Sequence, residues 1–266
     1  MTAEKQKRDD TSSAGGRADT GSPEGSALRR LLGLGRLLPL GGPRDGAWLA
    51  ESAAATVLRR AADELPGVRL GSVRVSLADP EISYEPVVPP PPSALPPGPL
   101  RIRADFGATA AEPLPTTATR LRMALAEAAR ERLGLTVSEV DLRVTRLLDA
   151  GEASPEPPGS GAPTSPSPQP SSPSSSSDDD ASRVMAAVLA TAGVVRLTGA
   201  LGGLGRAVHI ETVRGEGVAL AARHVRVEVA VSAEHRTLNV TRAVRAAVRE
   251  ALPDRPSVGV LVTAVE

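Results

Sequence analysis

Residues 225–266 read VRVEVAVSAEHRTLNVTRAVRAAVREALPDRPSVGVLVTAVE, and this stretch decides the fold. Val225, Val227 and Val229 alternate with Arg226 and Glu228, the period of a strand buried on one face. From Thr241 the period changes. Val244, Ala247, Val248 and Ala251 then fall on one side of a helix, and Arg242, Arg245 and Arg249 on another. Val258, Val260 and Val262 return to alternation. Strand, amphipathic helix and strand in this order predict a small sheet with helices covering one side, an α+β sandwich of two layers.

Working upstream, SRVMAAVLATAG (182–193) spaces Val184, Val188 and Leu189 as a helix does, with Ser182 as its N-cap and Gly193 as its stop. RAVHIETV (206–213) alternates as a strand. The same order recurs earlier in the chain. WLAESAAATVLRRAADELPG (48–67) predicts a helix with Val57, Leu58, Ala61 and Leu65 on one side. VRVSL (73–77) and LRIRADFGATA (100–110) predict strands, TATRLRMALAEAARERLG (117–134) a second helix, and VSEVDLRVTRLL (137–148) a closing strand. LPGVRL follows the first helix here and TAGVVRL follows it in the later half. These matches predict an internal duplication: two similar α/β sandwiches, each helix-strand-strand-helix-strand.

Between them, residues 150–181 are rich in Pro, Ser and Gly, which cannot bury enough apolar surface to offset ordering, so a disordered linker is expected. The expected organisation is a disordered tail over 1–26, a Leu/Arg-rich arm over 27–44, and units at 45–149 and 182–266. The proline run PVVPPPPSALPPGP (86–99) reads as an extended loop, since proline cannot donate to a central ladder.

Composition narrows the chemistry. Lys+Arg and Asp+Glu are both 31, so no net charge steers a polyanion. Apart from Lys5 and Lys7 every one of those cations is arginine, so an arginine-rich helix says little about phosphate. Cysteine is absent, which excludes disulfides, thiolate zinc sites and thiol catalysis. The opening residues lack the apolar core of a signal peptide, and no run approaches the roughly 20 apolar residues of a membrane span, so a cytoplasmic protein is expected.

No catalytic, cofactor or metal site is expected. Thr198, Gly199, Gly203 and Gly205 fit the T-G-x-x-x-G-x-G spacing of a dehydrogenase nucleotide loop, but a strand follows where a helix is needed. Too little chain remains after Gly205, and no Tyr-x-x-x-Lys accompanies the glycines. His209, His224 and His235 lack the partner spacing of a metal site, even with Glu211 two residues from His209. Asp79 and Glu81 flank Pro80 and read as turn chemistry. For nucleic acid, GGLG (202–205) with Arg206 has the G-x-x-G spacing of a KH loop, but it joins a helix to a strand rather than two helices. The arginine face of Arg242, Arg245 and Arg249 could touch phosphates but has no aromatic stacking platform beside it.

In the arm, Leu31, Leu32, Leu37 and Leu38 stand beside Arg29, Arg30 and Arg36. Leucines with arginines suit anionic lipid or a partner's groove. Gly33, Gly35 and Pro39 oppose a continuous helix and favour a latch onto the protein's own core instead.

MAAVLATAGVVRLTG followed by residues 225–266 resembles the alkaline shock protein family of bacterial envelope stress proteins, in which a helix ending in a Gly-Val turn precedes V-x-V-x-V strands. The resemblance implies a non-enzymatic cytoplasmic scaffold that associates with itself or with protein partners, one of them held in the membrane. It implies neither a small-molecule substrate nor a cofactor. The competing expectation is an RNA-binding protein using Arg242, Arg245 and Arg249.

Overall fold

The computed structural model describes residues 33–92, 94–149, 177–200, 206–213 and 222–266. The tail, Leu31, Leu32, Gly203, Gly205 and most of the expected linker lie outside them. The described residues form a mixed α+β structure with two sheets.

A short hairpin comes first: β1 (Leu37–Pro39) antiparallel to β2 (Ala47–Ala50). Helix α1 (Glu51–Asp63) follows at once. β3 (Val68–Leu77) and β4 (Leu100–Thr109) are antiparallel, α2 (Leu114–Glu127) runs on into a π-helical stretch (Ala128–Leu133), and β5 (Val137–Leu148) lies parallel to β4. The later half carries α3 (Ser177–Leu189), β6 (Val194–Leu197), β7 (Val208–Val213), β8 (Ala222–Val231), α4 (Thr237–Ala251) and β9 (Ser257–Val265). β6 and β7 pair with successive parts of β8 along one edge, and β9 runs parallel to β8 on the other.

The two central ladders match in several local details. Gly67 and Gly193 both take positive φ (75° and 85°), which lets the chain turn sharply into β3 and β6. The Gly67 carbonyl accepts from Thr109 N–H at 2.9 Å, and the Gly193 carbonyl from Ser232 N–H at 2.8 Å. The parallel pair β4–β5 shifts register after Phe106, and β8–β9 shifts after Val229. α2 buries Thr117, Leu121 and Leu125, and α4 buries Val240, Val244 and Val248, the same spacing along each helix.

Several expectations need correction. Trp48–Ala50 is strand, not the start of the first helix. β2 runs parallel to β9, with Ala47, Trp48 and Leu49 opposite Val260, Leu261 and Val262. All four β2 residues are buried, so no alternation of exposure marked it as a strand. α3 begins at Ser177 rather than at Ser182, inside the expected linker. Asp178, Asp179 and Asp180 sit in its first turn, where carboxylates favour the positive end of the helix dipole. Ser182 is no cap; its hydroxyl donates to the Asp178 carbonyl. The later half also has one strand more than expected, because β6 precedes β7.

Leu37 and Leu38 are fully buried in β1, so they are core and not an interaction surface. Each burial contributes about 1.5–3 kcal/mol. The core runs through both halves: Leu37, Trp48, Leu58, Phe106, Val244 and Val260 belong to one contiguous cluster. No helix among the described residues is long and apolar enough to cross a membrane.

Candidate functional site

The arginine face of α4 is largely committed inside the molecule. Arg242 makes a two-pronged contact with Asp45, Nε to Oδ1 at 2.7 Å and Nη2 to Oδ2 at 3.2 Å. Arg245 donates to the Val258 carbonyl at 3.0 Å and to the Arg44 carbonyl at 2.8 Å. Together they fasten the β1–β2 turn onto α4. Burial pushes the Asp45 carboxyl up, but the bonds from Arg242 and from Gly42 N–H outweigh it and hold the group below its ordinary range. Burial lowers Arg245, against a raising pull from Asp45. Arg249 is exposed and, among the described residues, makes no backbone or carboxylate contact of this kind. The expected phosphate-binding face is therefore mainly a structural clamp.

The other candidates resolve into local bonding. His224 is buried, with Nδ1 2.9 Å from Ser257 Oγ, and His209 Nε2 lies 2.9 Å from the Arg206 carbonyl. Burial pushes the His224 imidazole down, with Glu211 drawing it back up and Arg226 adding to the lowering. Among the described residues no three His, Asp or Glu side chains gather as a metal site would need. The Asp79 carboxylate accepts from Glu81 N–H at 2.9 Å, as turn chemistry requires. Thr198, from the glycine motif, bonds its hydroxyl to Thr263 at 2.8 Å and so faces the sheet.

What stands open is the sheet β3–β4–β5. Its apolar rows, such as Val75, Ile102 and Phe106, are buried. The opposite face carries charge from Arg74 on β3, Arg101, Arg103 and Asp105 on β4, and Glu139, Asp141 and Arg143 on β5, with Ser72 and Ser76 between them. Arg36, Arg74, Arg103, Arg143, Asp105 and Asp141 surround a shallow cleft of about 520 Å³. Much of this charge is paired within the face. Arg101 bridges Glu139 and Asp141, Arg103 reaches Asp141 at 3.7 Å, and Asp105 accepts from Ser72 at 2.7 Å. Arg74 lies 3.9 Å from Glu51, whose carboxylate also accepts from Val75 N–H and Arg36 N–H. A face laced this way presents both signs rather than a cationic trough.

The outer edge of β5 is the second open feature. Among the described residues no strand pairs with it, and most of β5 is exposed, including Val144 and Leu147. The Val140 carbonyl accepts from Arg122 Nε at 3.2 Å, which turns it away from β4. The matching strand β9 shows what such an edge can hold. Val260, the counterpart of Leu142 in the register with the central strand, donates its N–H to the Gly46 carbonyl at 3.0 Å at the entry to β2. Among the described residues one edge is occupied within the chain, and the equivalent edge is not.

The sequence shows β5 as a strand but not its neighbours. The signal for an exposed strand was present in Glu139, Asp141, Arg143 and Arg146, which charge one face throughout. Comparisons with protein-family models, with curated proteins and with solved structures find no match for this chain.

Proposed function

We propose that the protein is a non-enzymatic interaction module of the alkaline shock type, made of two related α+β units. It works in the cytoplasm by binding protein, itself included, and reaches the membrane through a partner. The carrying observation is the edge of β5, unpaired among the described residues, whose counterpart β9 is occupied by β2. Edge strands present a row of unpaired backbone donors and acceptors, and strand addition is a general mode of protein recognition. The shared register shifts and paired glycines support two units of common plan. The resemblance of residues 182–266 to the alkaline shock family supports the scaffold role. The commitment of Arg242 and Arg245 to the β1–β2 turn weighs against the nucleic-acid alternative.

Site-specific photo-crosslinking in the full chain tests this reading. A photoreactive residue at exposed Leu147 is expected to give protein adducts in cells, and one at exposed Arg59 on α1 is not. Equal labelling at both positions, or none at Leu147, overturns it. So does a sub-micromolar, salt-sensitive complex with RNA or duplex DNA.

A further inference from the structure

We infer that the edge of β5, unpaired among the described residues, takes β5 of a second copy, antiparallel and centred on Leu142, so that Asp141 of each copy faces Arg143 of the other. This rests on the interaction-module reading above and names the partner of that edge.

Three observations lead to it. The first is parity. Val140 turns its carbonyl outward, to Arg122, and Leu142 occupies the place where Val260 turns its N–H outward to Gly46. Between the irregularities at its two ends, β5 runs in simple register with β4 from Glu139 to Val144. Over that span Val140, Leu142 and Val144 therefore offer their backbone groups outward. In an antiparallel pair, outward residues must meet outward residues.

The second is charge. Centred on Leu142, Val140 meets Val144, and Asp141 and Arg143 meet one another twice. They do so at non-hydrogen-bonded positions, where side chains approach most closely. Centring on Asp141 would set Glu139 opposite Arg143 but place Asp141 against Asp141. Centring on Arg143 would place arginine against arginine. Like charges directly opposite are destabilising, so one register is selected. Arg122 lies on an exposed, flexible side chain and can swing from the Val140 carbonyl.

The third is supply. A parallel strand such as β2 is what fills the β9 edge, but β2 of a second copy already has β1 on one side and β9 on the other. The second copy's β5 has the same vacancy and the same self-complementary charges, which suits an isologous two-fold contact. The pairing buries Val144 and continues the charged faces of both sheets into one. A contact of a single strand pair is small beside a standard interface, so a reversible dimer is expected.

The test uses the full chain and light scattering over a concentration series. Wild type is expected to dimerise. Arg143→Asp leaves two acids facing each other, and Asp141→Arg leaves two arginines facing each other, so each variant should associate about tenfold or more weakly. Mixing the two restores opposite charges at both positions and should give a heterodimer. Thermal melts report whether each variant is folded, and Arg143→Asp, at an exposed position, carries the test if Asp141→Arg is not. A wild type that stays monomeric, or variants that dimerise as wild type does, overturns the self-pairing. Monomeric protein whose β5 amides resist exchange overturns it too, and assigns the edge to the chain's own 150–176 segment. If Leu147 still crosslinks to a different protein in cells, the self-pairing falls while the interaction-module reading stands.

Discussion

Thr145 and Thr263 occupy the same bulge in two different sheets. Each is the extra residue where a parallel strand shifts register, and each donates its hydroxyl to the facing carbonyl, Phe106 at 3.4 Å and Val229 at 3.3 Å. A bulge bends its strand and is a designed feature of a family rather than a defect. It recurs at the same place along the two parallel ladders, after Phe106 and after Val229.

The two threonines differ in surroundings, and stability should follow. Thr263 is buried and also bonds to the Thr198 hydroxyl, whereas Thr145 lies on the exposed edge. Thr263→Val strands the Thr198 hydroxyl in a part-buried site and should cost about 1–2 kcal/mol. Thr145→Val should stay within about 0.5 kcal/mol of wild type. Urea melts of the two variants compare them directly, and equal losses would mean that the bulge geometry, not the hydroxyl network, sets the cost.

The clamp between Asp45 and Arg242 predicts a pH dependence with a definite sign. The folded carboxyl lies below its ordinary value, so its stabilisation is complete above the unfolded value of about 3.9. It is lost as pH falls through the folded value. Asp45→Asn should lower stability at neutral pH by about 1–2 kcal/mol and flatten the acid limb of the melting curve. Because Arg242 is half exposed, high salt should shrink the difference. An unchanged acid limb in the variant would place the sensitivity elsewhere.

How much of this was legible in the sequence follows from what periodicity encodes. Val244 and Val248 announced a helix because α4 has one buried and one exposed face. Val225 and Val260 announced strands by alternating with other residue types, although β8 and β9 are buried on both faces over most of their length. β2 gave no such signal, since Ala47–Ala50 is buried on both faces and a short apolar run fits helix or strand equally. The arginines of α4 were visible, but their partners were not: Asp45 lies far away in sequence and meets Arg242 only through the fold. The open edge of β5 was illegible for the same reason. A strand's own residues do not say how many neighbours it has, and only the contrast with β9 exposes the vacancy.

His224 predicts a second pH effect near neutrality. Its imidazole is held below the ordinary value by burial, with Arg226 adding to the lowering and Glu211 opposing it. The histidine sits in a chain of bonds through Ser257 Oγ, which donates to the Arg223 carbonyl at 3.3 Å. The unfolded chain therefore binds a proton first. Stability is complete above an unfolded value of about 6.5 and declines as pH falls toward the folded value. Melting temperatures measured across that range should drop for wild type and drop less for His224→Gln. A variant with the same slope as wild type would leave the histidine without a role in it.

The last prediction concerns whether the halves stand alone. Trp48 is the only tryptophan in the chain and is 1 % exposed. It stands opposite Leu261 across β2 and β9, so its emission reports on the joint between the early hairpin and the later sheet. Expressing 45–149 and 182–266 separately removes Leu37 and Leu38 from both pieces and parts Trp48 from Leu261. At about 1.5–3 kcal/mol for each large buried side chain, an upper bound because unfolded chains are partly compact, the loss rivals the whole stability of a small domain. The 182–266 piece should therefore melt well below the full chain, and the 45–149 piece should show red-shifted Trp48 emission. Mixing the pieces with a 33–50 peptide tests the joint itself: recovery of cooperative melting in the later piece would locate its missing stability in the hairpin. If both pieces melt as sharply and as high as the full chain, with blue emission retained, each half carries a sufficient core and the β2–β9 pairing is a contact between two finished domains.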